Sequence, residues 1–199
     1  MPRALLIAMM TATVLGTAHL KSSAACPDPE KLSANQKLEM LETPLDRNDR
    51  AAVACTVAFM DDLSRRRDFK VMGVLIQNLD LELTTAEILS ELSPGLHVYG
   101  GKYPAMDDIS WFGKDALPPL LDEIAKGTPE TLLTQNAIKI FMSLQAHDPP
   151  SGIKLMVQRA AKEEGRASQN LTDAARFATS LWQCRHMVQA CQDALKNAK

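Results

Sequence analysis

The chain is poor in aromatic residues and has no stretch in which apolar and polar residues alternate over several positions. Aromatic side chains make up 5% of its 199 residues, a low content for a β-sandwich, whose strands are enriched in such side chains. Alternation with a period of two is the pattern of a half-buried strand. Because that pattern is missing, we expect an all-α fold.

The chain also lacks the short motifs of common enzyme classes. It contains no Gly-x-Ser-x-Gly elbow, no His-Glu-x-x-His pair, no phosphate-binding glycine loop and no Cys-x-x-Cys pair. The adjacent carboxylates Asp107 and Asp108 diverge by about 100° on a helix, and we interpret them as solvent-facing. The sequence therefore predicts a protein that is not an enzyme, with no catalytic residue, metal or cofactor. The alternative is an extracytoplasmic hydrolase whose groups meet only in the folded chain, around His97 or His147.

An excess of positive charge is missing as well. The formal net charge is -2 at pH 7, whereas a nucleic-acid-binding surface is usually basic because it neutralises phosphate. The basic run at residues 65–67 ends a predicted helix, where cations meet the negative end of the helix dipole. We therefore expect no nucleic-acid partner.

The first 25 residues have the layout of a secretory signal peptide. Arg3 precedes an apolar run over residues 4–16, and a more polar stretch then ends in small residues. Cleavage after Ala25 leaves residues 26–199, enough for a single domain with its own core. We expect an exported protein, periplasmic or extracellular, with no stable membrane span once the signal is removed. A lipid-anchored accessory protein, acylated on Cys26, is the alternative.

Helical periodicity and helix punctuation recur along the rest of the chain. Ser33 with Gln36 and Thr84 with Glu87 predict capping boxes, and Asp148 before a proline predicts an N-cap. Gly113, Gly127 and Gly165 each follow an apolar-periodic segment and suit the left-handed residue that ends a helix. These signals predict helices near residues 33–42, 49–65, 69–79, 85–92, 104–112, 116–126, 129–145, 150–164 and 171–197.

Two consecutive prolines, Pro118 and Pro119, lie inside the apolar pattern of the segment 116–126. Proline costs little backbone hydrogen bonding in the first turn of a helix, where its missing N–H has no intrahelical acceptor. We therefore expect this helix to begin between Asp115 and Leu117, with both prolines in or beside its first turn.

The order of helices and turns around this segment resembles HEAT-like repeats. The residues that carry the resemblance are Gly113, Ala116, Leu117, Leu120, Leu121, Asn136, Ala137 and Phe141. It implies stacked antiparallel helix pairs in a right-handed solenoid over about residues 48–165. Asp68, Asp115 and Asp148, the candidate starts of second helices, are separated by 47 and 33 residues, whereas such repeats usually recur at about 40 to 47. An irregular helical bundle is the alternative architecture.

Four cysteines in a chain with a predicted export signal make disulfides plausible. Cys184 and Cys191 follow the apolar seam of the last predicted helix, but seven helical residues separate them by about 10 Å, too far for a direct bridge. His186 points away from that seam, so these residues make no metal site. The pair Cys26 and Cys55 is the favoured disulfide, and the state of Cys184 and Cys191 is left open.

The longest connection, residues 93–104, is the best candidate for contact with another molecule. His97, Tyr99, Lys102 and Tyr103 provide hydrogen-bond donors and aromatic surface beside a pair of glycines, and binding residues are over-represented on such loops. A plain linker between helical units is the alternative interpretation. The function we expect is a non-catalytic scaffold or interaction module, because stacked helix pairs present extended surfaces to protein partners.

Overall fold

The computed structural model describes residues 26–90 and 101–180, together with the single positions 190, 193 and 196. All regular secondary structure in these residues is helical, as predicted. The α-helices are α1 (Ala34–Leu41), α2 (Arg50–Arg65), α3 (Met72–Gln77), α4 (Thr85–Ser90), α5 (Pro104–Ser110), α6 (Leu117–Lys126), α7 (Leu132–Leu144), α8 (Pro149–Ala160) and α9 (Gly165–Ser180).

Local capping signals place several helix starts where the sequence predicts them. The Ser33 hydroxyl accepts from the Gln36 N–H at 3.3 Å, and the Gln36 side chain accepts from the Ser33 N–H at 2.9 Å. Thr84 and Glu87 form the same reciprocal pair, with distances of 3.3 and 2.7 Å. Hydrogen bonds from Arg50 and Thr84 hold the pKa of Glu87 at about 2. Both predicted capping boxes are therefore confirmed.

The two prolines of α6 occupy its first turn. A short 3-10 helix over Gly113–Ala116 leads directly into α6, which begins at Leu117. Proline there removes no intrahelical hydrogen bond, and Leu120 and Ile124 are then fully buried. The prediction for this segment is confirmed.

Two other helix starts differ from the prediction. The sequence places the start of α7 at Pro129, but Thr131 is the N-cap and its hydroxyl accepts from the Thr134 N–H. Residues 128–131 form a turn instead, closed by the Thr131 N–H on the Thr128 carbonyl. The last helix begins at Gly165, ahead of the predicted residue 171, because α8 already ends at Ala160.

Positive φ angles mark four of the turns between the described helices, and Gly101, before α5, has φ +72°. Gly113 has φ +56° and Gly165 has φ +57°, and Arg67, after α2, has φ +54°. Glycine adopts this region without steric cost, whereas a side chain disfavours it. Gly127 does not adopt it: its φ is −92° and its ψ 168°, so the left-handed conformation predicted there is wrong.

Helices distant in sequence pack on one another. α2 contacts α5, which contacts α7; α3 contacts α6, which contacts both α7 and α9. α8 packs chiefly on α9 and only slightly on α7, whereas the sequence suggested α7 and α8 as a pair. One apolar cluster runs from α2 to α9, and α1 adds only partly buried side chains to it from its place on α2.

Two buried asparagines join helices that are distant in sequence. The Asn136 amide of α7 donates to the Leu79 carbonyl, just beyond α3, at 2.7 Å. The Asn170 amide of α9 donates to the Ala125 carbonyl, near the end of α6, at 2.9 Å. Both asparagines are at most 4% exposed. The carbonyls at or just beyond a helix end have no intrahelical N–H donor, and here the asparagine amide donates to them in place of water.

Gly127 is required for space. A Cβ added to it would lie 2.0 Å from the Thr134 hydroxyl oxygen, which is buried and bonded to Thr131 at 2.8 Å. We expect Gly127→Ala to lower the free energy of unfolding by about 2 kcal/mol, the usual cost of overpacking. Urea denaturation followed by circular dichroism measures this change.

Two matched variants isolate the cause. Gly73 is exposed in α3 with nothing within 4 Å of an added Cβ, so Gly73→Ala should stabilise by about 0.5 to 1 kcal/mol. Adding Thr134→Ala to Gly127→Ala removes the clashing atom, and the two changes together should cost less than the sum of the single changes. Strictly additive costs would contradict the steric explanation.

Candidate functional site

The site predicted on the connection 93–104 is described in part. His97 and Tyr99 lie outside the described residues, so their place in the site stays a prediction. Lys102 and Tyr103 immediately precede α5 and come together with the segment 79–84 and with α7.

Lys102 is fixed through its backbone and leaves its side chain at the surface. Its carbonyl accepts from the Leu83 N–H at 2.9 Å, which aligns residues 81–83 beside it. The Lys102 ammonium lies 2.9 Å from the Glu82 carboxylate, and the two side chains are 49% and 50% exposed. The hydrogen bond with Glu82 raises the pKa of Lys102. Such an exposed ion pair contributes only about 0 to 1 kcal/mol, so the Lys102 ammonium can exchange its partner.

The Tyr103 ring lies against the Lys102 ammonium. The Lys102 nitrogen lies 5.4 Å from the centre of the Tyr103 ring, within the range of a cation–π contact. The Tyr103 side chain is partly buried and packs against the apolar cluster. The ring therefore holds the Lys102 ammonium near one position. A plain linker between helices, the alternative interpretation of this segment, does not require such a contact.

Lys139 of α7 belongs to the same site, although the sequence analysis did not select it. Its ammonium donates to the Asn136 side-chain oxygen at 3.2 Å, and the Asn136 amide is itself fixed on Leu79. Lys139 is the only charged residue of α7, between the buried Ile138 and Ile140. A lone cation inside an apolar run was the signal that could have identified it.

The environment of Lys139 disfavours its charge. Burial lowers the pKa of this ammonium, and the positive charge of Lys102 lowers it further. No carboxylate lies within ion-pair distance of Lys139 in the described part of the chain. Among the described residues, the site therefore brings together two cations, Lys102 and Lys139, and one carboxylate, Glu82.

Cys26 and Cys55 stand at disulfide distance, as predicted. Their sulfur atoms are 2.18 Å apart and their Cα atoms 5.3 Å apart. The pair borders an open groove of about 340 Å³ between α1, the loop after it and α2, with Met40 and Leu45 among its apolar walls. The bridge links the start of the described chain to α2.

Of the two histidines considered for hydrolytic chemistry, His97 lies outside the described residues, so the alternative built around it stays a prediction. His147 is exposed in the turn before α8, while Asp148 caps that helix by accepting from the Ser151 N–H. Asp108 is 4% exposed, so its expected solvent-facing position is wrong. It is buried because α5 packs on several helices, including α2, where Arg65 interacts electrostatically with it.

The described residues contain neither a metal-binding cluster nor a helix able to cross a membrane. Within residues 26–90 and 101–180, no group of three His, Cys, Asp or Glu side chains is placed to hold a metal ion. Among the helices with described positions, none combines the length and apolar character needed to cross a bilayer. Comparison of the chain with known protein families, curated proteins and solved structures finds no match.

Proposed function

We propose that this chain is an exported, non-catalytic interaction module that presents the surface of a HEAT-like solenoid to a protein partner. Contacts that run from α2 through α5 to α7, and from α3 through α6 to α9, support the solenoid, because each unit of a solenoid packs on its neighbours. The paired Cys26 and Cys55 support a periplasmic or extracellular location, because disulfides persist in oxidising compartments.

One observation carries the interaction role. Three segments far apart in sequence bring Glu82, Lys102 with Tyr103, and Lys139 to one surface, and fixed backbone and amide contacts hold them there. A half-buried lysine without a carboxylate partner costs stability in the free protein. A binding partner that supplies a negative charge to Lys139 explains why a lysine occupies this position.

The pairing of Cys26 bears on the lipid-anchored alternative. A lipoprotein carries its diacylglycerol on the sulfur of the first mature cysteine, and that sulfur is then unable to form a disulfide. Because Cys26 and Cys55 stand at bonding distance, the fold favours an N-terminus held by a bridge over one held by a lipid.

Affinity capture tests the proposal. The mature protein is immobilised and exposed to the contents of its own compartment, and retained proteins are identified by mass spectrometry. We expect a specific protein that is retained by the wild type and by Lys114→Ala, and lost from the double variant Lys102→Ala/Lys139→Ala. Lys114 is an exposed lysine on the 3-10 helix before α6. The proposal is contradicted if no specific protein is retained, or if the double variant retains the same protein as the wild type.

A further inference from the structure

The charge balance around Lys139 differs from that of the whole chain. The chain carries a formal net charge of -2. The segment 79–83 nevertheless joins Lys102, through the Leu83 N–H, to the Asn136 side chain that holds Lys139. Among the described residues, Glu82 is the only carboxylate paired with either lysine. One positive charge is left over at a half-buried position. Charges in such positions are usually paired, because removal from water is costly.

The leftover ammonium is held in place by its surroundings. Asn136 is fully buried, and its amide nitrogen is committed to the Leu79 carbonyl at 2.7 Å. Its oxygen therefore has a fixed direction, and it accepts from Lys139 at 3.2 Å. This neutral acceptor takes one of the three donors of the ammonium and leaves the others for a ligand.

We propose that Lys139 and Lys102, with Tyr103 beneath Lys102, bind a carboxylate of an acidic segment in the protein partner. This inference rests on the proposed interaction function and names the chemistry that the partner brings to the site. The carboxylate lies between the two ammonium groups and accepts from both. Lys102 keeps its contact with the Tyr103 ring, and its exposed pair with Glu82 opens or is shared at little cost.

The charge of the site favours a carboxylate over a phosphate group. One uncompensated cation matches a ligand of one negative charge. A phosphate monoester carries about −1.5 to −2 at pH 7, and its excess charge would face the Glu82 carboxylate. The site also contains only lysines among its described cations, and lacks the arginine fork that is over-represented where phosphate is bound in a bidentate manner.

A hexaglutamate peptide is a suitable probe, with hexaglutamine as its uncharged counterpart. Binding to the mature protein is measured at low salt by fluorescence anisotropy of the labelled peptides. We expect saturable binding of hexaglutamate alone, and an affinity reduced about fivefold or more by Lys139→Gln and by Lys102→Gln, the size of one exposed charge pair. Lys114→Gln should bind like the wild type, since Lys114 is exposed and lies outside the site.

Folding of the variants is checked independently. Lys139→Gln removes a charge that burial disfavours, and Lys102→Gln alters an exposed side chain, so both should melt no lower than about 2 °C below the wild type. Nitrogen-15 spectra of the lysine side chains provide a second measurement. The Lys139 ammonium signal should shift on addition of hexaglutamate and stay unchanged with hexaglutamine.

Three outcomes overturn the inference. The first is no saturable binding, and the second is binding that Lys114→Gln weakens as much as Lys139→Gln does. The third is displacement of the peptide by inorganic phosphate at concentrations where acetate has no effect, which would make the site a phosphate site. Failure of this test leaves the capture result intact. Conversely, hexaglutamate binding without a captured protein would contradict the proposed function and leave the carboxylate site standing.

Discussion

Replacement of Cys26 and Cys55 by serine should lower the free energy of unfolding by about 3.5 kcal/mol. The bridge joins residues 29 positions apart, and this is the chain entropy that a loop of such length regains in the unfolded state when it is opened. Denaturation in urea of the oxidised protein measures the loss. The amides of α1 should lose protection from hydrogen exchange more than those of α6, because α1 packs chiefly on α2.

The single variants provide the control for this prediction. Cys26→Ser and Cys55→Ser each remove the same bridge, so each should cost nearly as much as the double variant. Reduction of the wild type should bring it to the same stability. Additive costs for the two cysteines, or a loss below about 1 kcal/mol in the double variant, would show that no bridge forms.

Asp62→Asn should lower the free energy of unfolding by about 3 kcal/mol, because it removes the partner of a buried lysine. The Lys37 ammonium of α1 lies 2.5 Å from the Asp62 carboxylate, and the Lys37 side chain is 1% exposed. Removal of the carboxylate leaves a buried cation without its partner, one of the most expensive single changes in a protein. The control is Asp61→Asn, at the preceding residue, which breaks only an exposed pair with Arg65. It should lower the free energy of unfolding by no more than about 0.5 kcal/mol.

Lys37→Met distinguishes an uncompensated charge from lost packing. Methionine fills similar volume without a charge, so this variant should be nearly as stable as the wild type, while Asp62→Asn in the same background should cost much less than it does alone. Equal costs of Asp62→Asn in both backgrounds would contradict the role assigned to Lys37.

The pH dependence of the same pair has a definite sign. Burial by itself would raise the pKa of Asp62, but hydrogen bonds from Lys37 and Arg66 outweigh it and hold the pKa below its ordinary value of 3.8. The pair therefore stabilises the fold at pH values above 3.8, and this contribution is lost as the pH falls through the lowered pKa. The stability difference between wild type and Asp62→Asn should narrow over that acid range.

The sequence predicts the features of this fold that depend on nearby residues. The capping boxes at Ser33 and Thr84 are such features, because a short side chain and its partner three residues on suffice to define them. The placement of Pro118 and Pro119 likewise follows from the backbone chemistry of proline. The start of α7 differs from the predicted residue 129 because residues 128–131 form a turn and Thr131 caps the helix instead.

Features that depend on distant residues were not predictable in the same way. Lys37 is one of two lysines in a polar stretch, and its burial depends on Asp62, 25 residues away. The role of Lys139 depends on Lys102 from another segment and on Asn136, whose amide is committed to Leu79. The binding site predicted at Lys102 and Tyr103 stays a prediction, and the contact of this segment with Lys139 could be found only from the tertiary structure.

The amides of Asn136 and Asn170 also limit how the helices can move. Each joins a side chain on one helix to a carbonyl at or just beyond the end of another. Sliding of either pair by one helical turn, about 5.4 Å, would therefore break the bond that joins it. Each break would leave buried polar groups unpaired at about 1 to 3 kcal/mol. Tilting about the same two points leaves the bonds intact. The fold therefore resists sliding of these helices along their axes, and a change in the angle between them is the easier motion.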